Sequence, residues 1–176
     1  SKSPAIFDTQ KLKAINGAYI RKLSLDEFME KAMPYIRQTC KREDVDMKTL
    51  CEMLQPRTEL FTDIPDQVDF IDALPDYDAE FFTNKKSKTN PEVSKAMLEA
   101  AIPALEAISD WTADAIHDTL IDLAAKLEVK NATLMWPVRI AAAGKLVTPG
   151  GAVEICHLLG KDETLRRLCL GLAKLN

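Results

Sequence analysis

The sequence predicts an all-α fold of two packed helical subdomains, and three observations carry that prediction. Apolar residues recur at three- and four-residue spacing through most of the chain, with no convincing period-two alternation. Side chains suited to helix N-caps precede many of these stripes: Asp8, Ser24, Asp46, Asn90 and Asp110. The composition is that of an ordinary globular chain, 47% hydrophobic and 28% charged, and 176 residues suffice for a real core.

Asp8 caps a helix expected to reach Leu23, with Leu12, Ile15, Tyr19 and Leu23 on one face and Gly17 marking a close approach. Ser24 and Glu27 have the spacing of a capping box. The helix they open turns Phe28, Ala32 and Met33 inward, and Pro34 is expected to break or kink it. Asp46 opens a third helix with the stripe Leu50, Met53 and Leu54; it stops near Pro56, with Arg57 directly after. Residues 60–74 read as two short helices split by Pro65. The aspartates scattered there lack the spacing and the glycine of a calcium loop.

Lys85-Lys86-Ser87-Lys88-Thr89-Asn90-Pro91 reads as a linker, basic and polar, whose lysines are either a weak phosphate contact or simply exposed. Asn90 caps a helix through about Ile108, bent or broken at Pro103. Asp110 is expected to cap a helix over 111–127 with Ala115, Leu120, Leu123 and Leu127 inward. Helices over 132–143, 150–159 and 162–175 complete the chain, Gly160 separating the last two. The last carries the stripe Leu165, Leu168, Leu172 and Leu175.

The net charge of −4 conceals a strong division. Residues 1–57 carry 11 Lys and Arg against 8 Asp and Glu, residues 58–130 carry 6 against 16, and residues 131–176 carry 6 against 3. Basic ends around an acidic middle suit a protein that offers restricted surfaces to a polyanion and repels it elsewhere. Cys40, Cys51, Cys156 and Cys169 stand singly, which fits reduced, mostly buried thiols of a cytosolic protein rather than a disulfide framework or zinc knuckle. His117 and His157 each lie in a helical pattern and read as structural or surface residues. No apolar run approaches the roughly 20 residues of a membrane span, and no signal peptide opens the chain. No constellation of nucleophile and base, phosphate-cradling glycine loop or metal ligands is legible, so no catalytic residue and no metal site are assigned.

The most informative stretch is residues 137–160. Arg139 leaves a helix two residues after Pro137, and Thr148-Pro149-Gly150-Gly151 leads into the next helix. The glycines strip side chains from the backbone, so a flat ligand can approach closely, and the helix start offers free amide groups. Arg57, taken alone, reads as a solvated arginine capping carbonyls.

The ordered set of motifs resembles the C-terminal region of bacterial glutamyl-tRNA synthetases. The motifs are Ser1-Lys2-Ser3-Pro4-Ala5-Ile6-Phe7-Asp8, Lys11-Leu12 and Asn16-Gly17-Ala18-Tyr19-Ile20-Arg21 near the start. Near the end they are Pro137-Val138-Arg139-Ile140-Ala141, Gly144, Thr148-Pro149-Gly150, and Leu158-Leu159-Gly160-Lys161 with Thr164-Leu165-Arg166-Arg167-Leu168. The resemblance covers both ends in order; residues 75–130 match only as helix pattern. It implies the helical anticodon-binding region of a class I aminoacyl-tRNA synthetase. The division it implies is the end of a stem-contact region (1–23), a first anticodon-binding subdomain (24–75), a linker (76–90) and a second subdomain (91–176).

The same resemblance implies a partner, the anticodon loop of tRNA(Glu), and reverses the reading of Arg57, which falls where the family reads the wobble cytosine. Arg139, Thr148, Pro149, Gly150 and Gly151 fall where it contacts the other anticodon bases. It implies a fragment of an ATP- and magnesium-dependent glutamate–tRNA ligase, monomeric, cytoplasmic, free of membrane contact, and without the catalytic half or a cofactor of its own. Alternatives are a class I lysyl-tRNA synthetase region and an all-α protein-interaction scaffold with an acidic docking face. Ala14 replaces a bulky aromatic of many members, and Gly151 and Ala152 replace larger apolar residues.

Overall fold

The computed structural model describes residues 8–176; residues 1–7, on which most of the opening motif falls, lie outside the described residues. Among the described residues there are nine α-helices and no strand, the one β-type pairing being an isolated bridge between Asn84 and Thr89. Contacts divide the chain into two compact units, Ser1–Asp69 and Phe70–Asn176.

In the first unit, α1 (Thr9–Arg21) starts at Asp8, whose carboxylate accepts from the Lys11 amide at 3.1 Å. The expected inward stripe of α1 faces solvent instead: Leu12, Ile15 and Tyr19 are 46, 59 and 69% exposed, while Gly17 and Ile20 are buried. The reason is tertiary. The Gln55 side chain donates to the carbonyls of Ile20 and Leu23, and the Asn16 amide donates to the carbonyl of Glu59, fixing which side of the helix turns inward. A Cβ on Gly17 would stand 3.1 Å from Glu59 Cγ, so the expected close approach is present.

Ser24 caps α2 (Leu25–Thr39), accepting from the Glu27 amide at 3.1 Å while its hydroxyl donates to the Glu27 carboxylate. Pro34 does not end this helix. Its ring removes a bond to the carbonyl of Glu30, but both residues lie on the exposed face, where the freed carbonyl is not shut away from solvent. Buried Phe28, Ala32 and Ile36 meet Leu50, Cys51 and Leu54 of α3 (Met47–Leu54) and Ile64 and Val68 of α4 (Ile64–Val68). Phe61, whose ring centroid lies 5.8 Å from those of both Phe28 and Tyr35, closes that core. A 3-10 turn, Gln55–Arg57, follows α3 directly.

The second unit begins at Phe70, so the stretch 76–90, expected as a linker, belongs to it. Tyr77, Phe82, Ser87 and Thr89 are buried there. The polar residues that read as linker material serve inside the unit: hydroxyls of Thr89 and Ser94 both donate to the Phe82 carbonyl, at 2.8 and 3.1 Å.

Five helices follow: α5 (Pro91–Glu106), α6 (Ala113–Lys126), α7 (Asn131–Ala143), α8 (Ala152–Leu159) and α9 (Lys161–Leu175). Asn90 caps α5 as expected, and exposed Pro103 is carried within it without a break. Thr112, not Asp110, caps α6, because the Trp111 indole donates to the Cys156 carbonyl at 2.9 Å and pins the segment just before the helix start. The buried face of α6 is accordingly Ile116, Leu120 and Ala124, with Leu127 36% exposed.

α7 packs against α5, α6, α8 and α9 and is buried over most of its surface, including the small run Ala141–Ala143. That run admits α9 so closely that a Cβ on Gly171 would lie 2.8 Å from the Ala141 Cβ. Arg167 of α9 is wholly buried. Its guanidinium donates to the carbonyls of Phe70 and Ala142, both at 2.8 Å, and of Ile71 at 3.2 Å, and pairs with Glu163 at 2.7 Å. One side chain therefore ties the start of the unit to the last turn of α7.

Candidate nucleic-acid interface

α7 ends at Gly144, whose φ of +65° is the left-handed turn that glycine adopts without a Cβ clash. The chain then doubles back beside α7, so Thr148 comes opposite Arg139. Arg139 Nη1 donates to Thr148 Oγ1 at 2.8 Å, and Nη2 donates to the Leu146 carbonyl at 2.9 Å. The threonine hydroxyl in turn donates to the Gly150 carbonyl at 2.6 Å. Three residues earlier on the same helical face, Trp136 lies under the guanidinium, 4.7 Å from carbon to ring centroid, and its own indole N–H donates to the Phe81 carbonyl. Partial burial lowers the pKa of Arg139, yet an arginine keeps its charge under physiological conditions. The side chain is held in place on one face and along one edge.

A cleft of about 190 Å³ opens here, lined by Ser87, Ala132, Met135, Trp136, Arg139, Gly151 and Ala152. The predicted residues divide by role. Arg139 and Gly151 reach the cleft, Thr148 and Gly150 hold the arginine from behind, and Pro149 is buried. Gly151 is the N-cap of α8 and makes no side-chain cap bond. Glu154 stands at that helix start, its carboxylate 3.2 Å from where a Cβ on Gly151 would be. Glu154 thus sets a negative charge beside the free amide groups of that helix start. Beside Arg139, Leu146 and Val147 are 49 and 83% exposed, apolar surface next to a polar group.

Arg57 lies in the first unit, on the 3-10 turn after α3. It is exposed and its Nη1 donates to the Met53 carbonyl at 3.2 Å, the carbonyl-capping role that the residue pattern alone suggested. A cleft of about 350 Å³ lined by Arg21, Leu25, Glu52, Gln55 and Pro56 adjoins the turn. Trp136, Met135, Glu52 and Gln55 line these clefts without having been singled out in the sequence. Trp136 had a signal, its i, i+3 relation to Arg139; for the others only the folded chain shows their place.

Among the described residues, no group of three or more His, Cys, Asp or Glu stands ready to hold a metal, and no helix is long and apolar enough to cross a membrane. Cys40, Cys51 and Cys156 are buried and Cys169 is exposed.

The arrangement is that of a helical domain in which one half-buried arginine, Arg139, is braced at a cleft. The family model for the anticodon binding domain matches residues 27–172, and the chain belongs to that family. Its relatives include the glutamate–tRNA ligases of Clostridium acetobutylicum, 49% identical over 175 residues, and of Clostridium novyi, 50% identical over 178 residues. Each alignment covers 99% of this chain, but the chain spans only 36 and 37% of the length of those two relatives. The same fold occurs in a glutamate tRNA ligase from Elizabethkingia meningosepticum solved in complex with its amino acid. That match has a TM-score of 0.76 at 20% identity, covering 99% of this chain and 34% of the other.

Proposed function

We propose that this chain is the anticodon-reading part of a glutamate–tRNA ligase and that it binds the anticodon loop of tRNA(Glu). The observation that carries the reading is the preset Arg139 fork, braced by Thr148, Leu146 and Trp136 at the mouth of a cleft. Anticodon bases are unstacked, so their faces and Watson–Crick edges are open to such a group. Arg139 reads or stacks on one base, the Gly150–Gly151 backbone lets another approach, and Arg57 bonds the acceptor edge of the wobble cytosine. Thr148 and Pro149 shape this edge, Thr148 by orienting the arginine. The ATP and magnesium chemistry of aminoacylation belongs to the part of the ligases that this chain does not span. A monomer working in the cytoplasm completes the proposal.

Binding of the 176-residue chain to tRNA(Glu) and tRNA(Gln) at fixed salt tests it. The wild type should prefer tRNA(Glu), and Arg139→Ala should weaken that binding by about 5- to 150-fold, the range of about 1–3 kcal/mol for removal of a bidentate pair. Arg57→Gln should narrow the preference for cytosine over uridine at the wobble position. Equal affinity of the wild type and both variants for the two tRNAs would overturn the assignment.

A further inference from the structure

We propose that the turn at residues 84–89 is a phosphate-holding element for single-stranded RNA, in which Lys85, Lys86 and Lys88 grip the backbone of a nucleotide whose base occupies the Arg139–Trp136 cleft. The inference rests on the RNA-binding reading above and adds a second point of attachment to it, independent of base identity.

The turn is built, not loose. Asn84 and Thr89 exchange backbone hydrogen bonds at 3.2 and 3.0 Å, and the Asn84 side chain accepts from the Ser87 amide at 2.8 Å. Thr133 of α7 donates its hydroxyl to the Ser87 carbonyl at 2.7 Å, fastening the turn to the helix that carries Trp136 and Arg139. Ser87 and Thr89 are buried, which leaves Lys85, Lys86 and Lys88 exposed around them. Ser87 itself lines the cleft with Trp136, Arg139 and Gly151, which brings the turn that carries the lysines to its edge.

Two further observations single the turn out. Residues 58–130 are strongly acidic, and three of their six basic residues stand in these four positions, 85–88. Lys88 is held at φ +56°, a left-handed position that glycine or asparagine fills with less strain. An outlier of that kind beside a cleft is where function is expected to set the residue type. No ion pair joins the three lysines to a described carboxylate. Lysine acts on phosphate as a point charge without regard to sequence, whereas the stacked arginine reads the base. Backbone charge beside a stacking platform is the general arrangement for single-stranded nucleic acid.

The test measures binding of the chain to two anticodon stem-loop RNAs, one with the glutamate anticodon and one with a changed central base, across a salt series. Lys85→Gln/Lys86→Gln/Lys88→Asn should weaken both RNAs by the same factor, on the order of tenfold at low salt. It should also make the log–log salt slope shallower by roughly 0.7 for each phosphate that is no longer neutralised. Arg139→Ala should instead change the ratio between the two RNAs. The double variant Lys85→Gln/Lys86→Gln, which leaves the left-handed position alone, should give a proportionate part of the slope change, with an unaltered melting curve. A triple variant with wild-type affinity and slope, alongside a weakened Arg139→Ala, overturns the turn and spares the RNA reading. A wild-type chain with no saturable RNA binding overturns both.

Discussion

Arg139 and Arg57 are the same residue type put to the same proposed use, yet the two units hold them differently. Arg139 is half-buried, bonded to Thr148 and Leu146 and stacked on Trp136 before any ligand arrives. Arg57 is exposed on a three-residue turn and bonded to the Met53 carbonyl of its own helix end. A braced donor fork loses little rotamer freedom on binding; an exposed one gives up more, up to the roughly 2 kcal/mol carried by a free arginine side chain. On the proposed reading, Arg139 would therefore contribute more to affinity than Arg57.

The strongest way to break that contrast is to remove what fixes the second unit. Arg167→Met leaves the carbonyls of Phe70, Ile71 and Ala142 without their buried donor and should cost about 3–5 kcal/mol of stability, read from chemical denaturation. Because Ala142 lies in the last turn of α7, placement of Arg139 should fail with it.

Acid should sharpen the same point with a smaller effect. Glu163 is held down to about 2 from 4.5, first by the Arg166 hydrogen bond and further by Arg167, against the opposing pull of burial. A carboxyl lowered by folding contributes stability that is whole above about 4.5 and is lost as pH falls towards 2. Melting temperature should therefore fall across that window, and Glu163→Gln should flatten the fall. An equally steep decline in the variant would show that other carboxylates carry it.

Loosening Arg139 without removing it is subtler. Thr148→Val deletes the hydroxyl that accepts from Arg139 and donates to Gly150, and should cost about 1 kcal/mol in stability. Its effect on tRNA binding should be smaller than that of Arg139→Ala, and an unchanged affinity would mean that bracing contributes nothing. The smallest effect belongs to Arg57→Gln, which should leave the melting curve within about 0.5 kcal/mol of wild type, as for an exposed substitution. A larger loss would make Arg57 a structural cap and undo its assignment to base reading.

Local sequence chemistry accounts for the helices and much of the cluster around Arg139 in the second unit. Caps at Asp8, Ser24, Asp46 and Asn90 are short-range hydrogen bonds, and the structure uses all four. Arg139, Thr148 and Gly150 lie within one loop's reach, so spacing along the chain sufficed to group them. Which faces turn inward, and which distant residues meet, was settled by tertiary packing instead. The apolar stripe of α1 lost to Gly17 and Ile20 because Gln55 and Glu59 hold that side. Trp111 moved the start of α6 through a bond to Cys156, 45 residues away in sequence. The lysines at 85–88 read as linker because polarity looks the same whether it serves solvent or buried carbonyls. The bonds from Thr133 to Ser87 and from Trp136 to Phe81 bring that stretch to α7, and hydrogen bonds across 46 and 55 residues leave no local pattern to read.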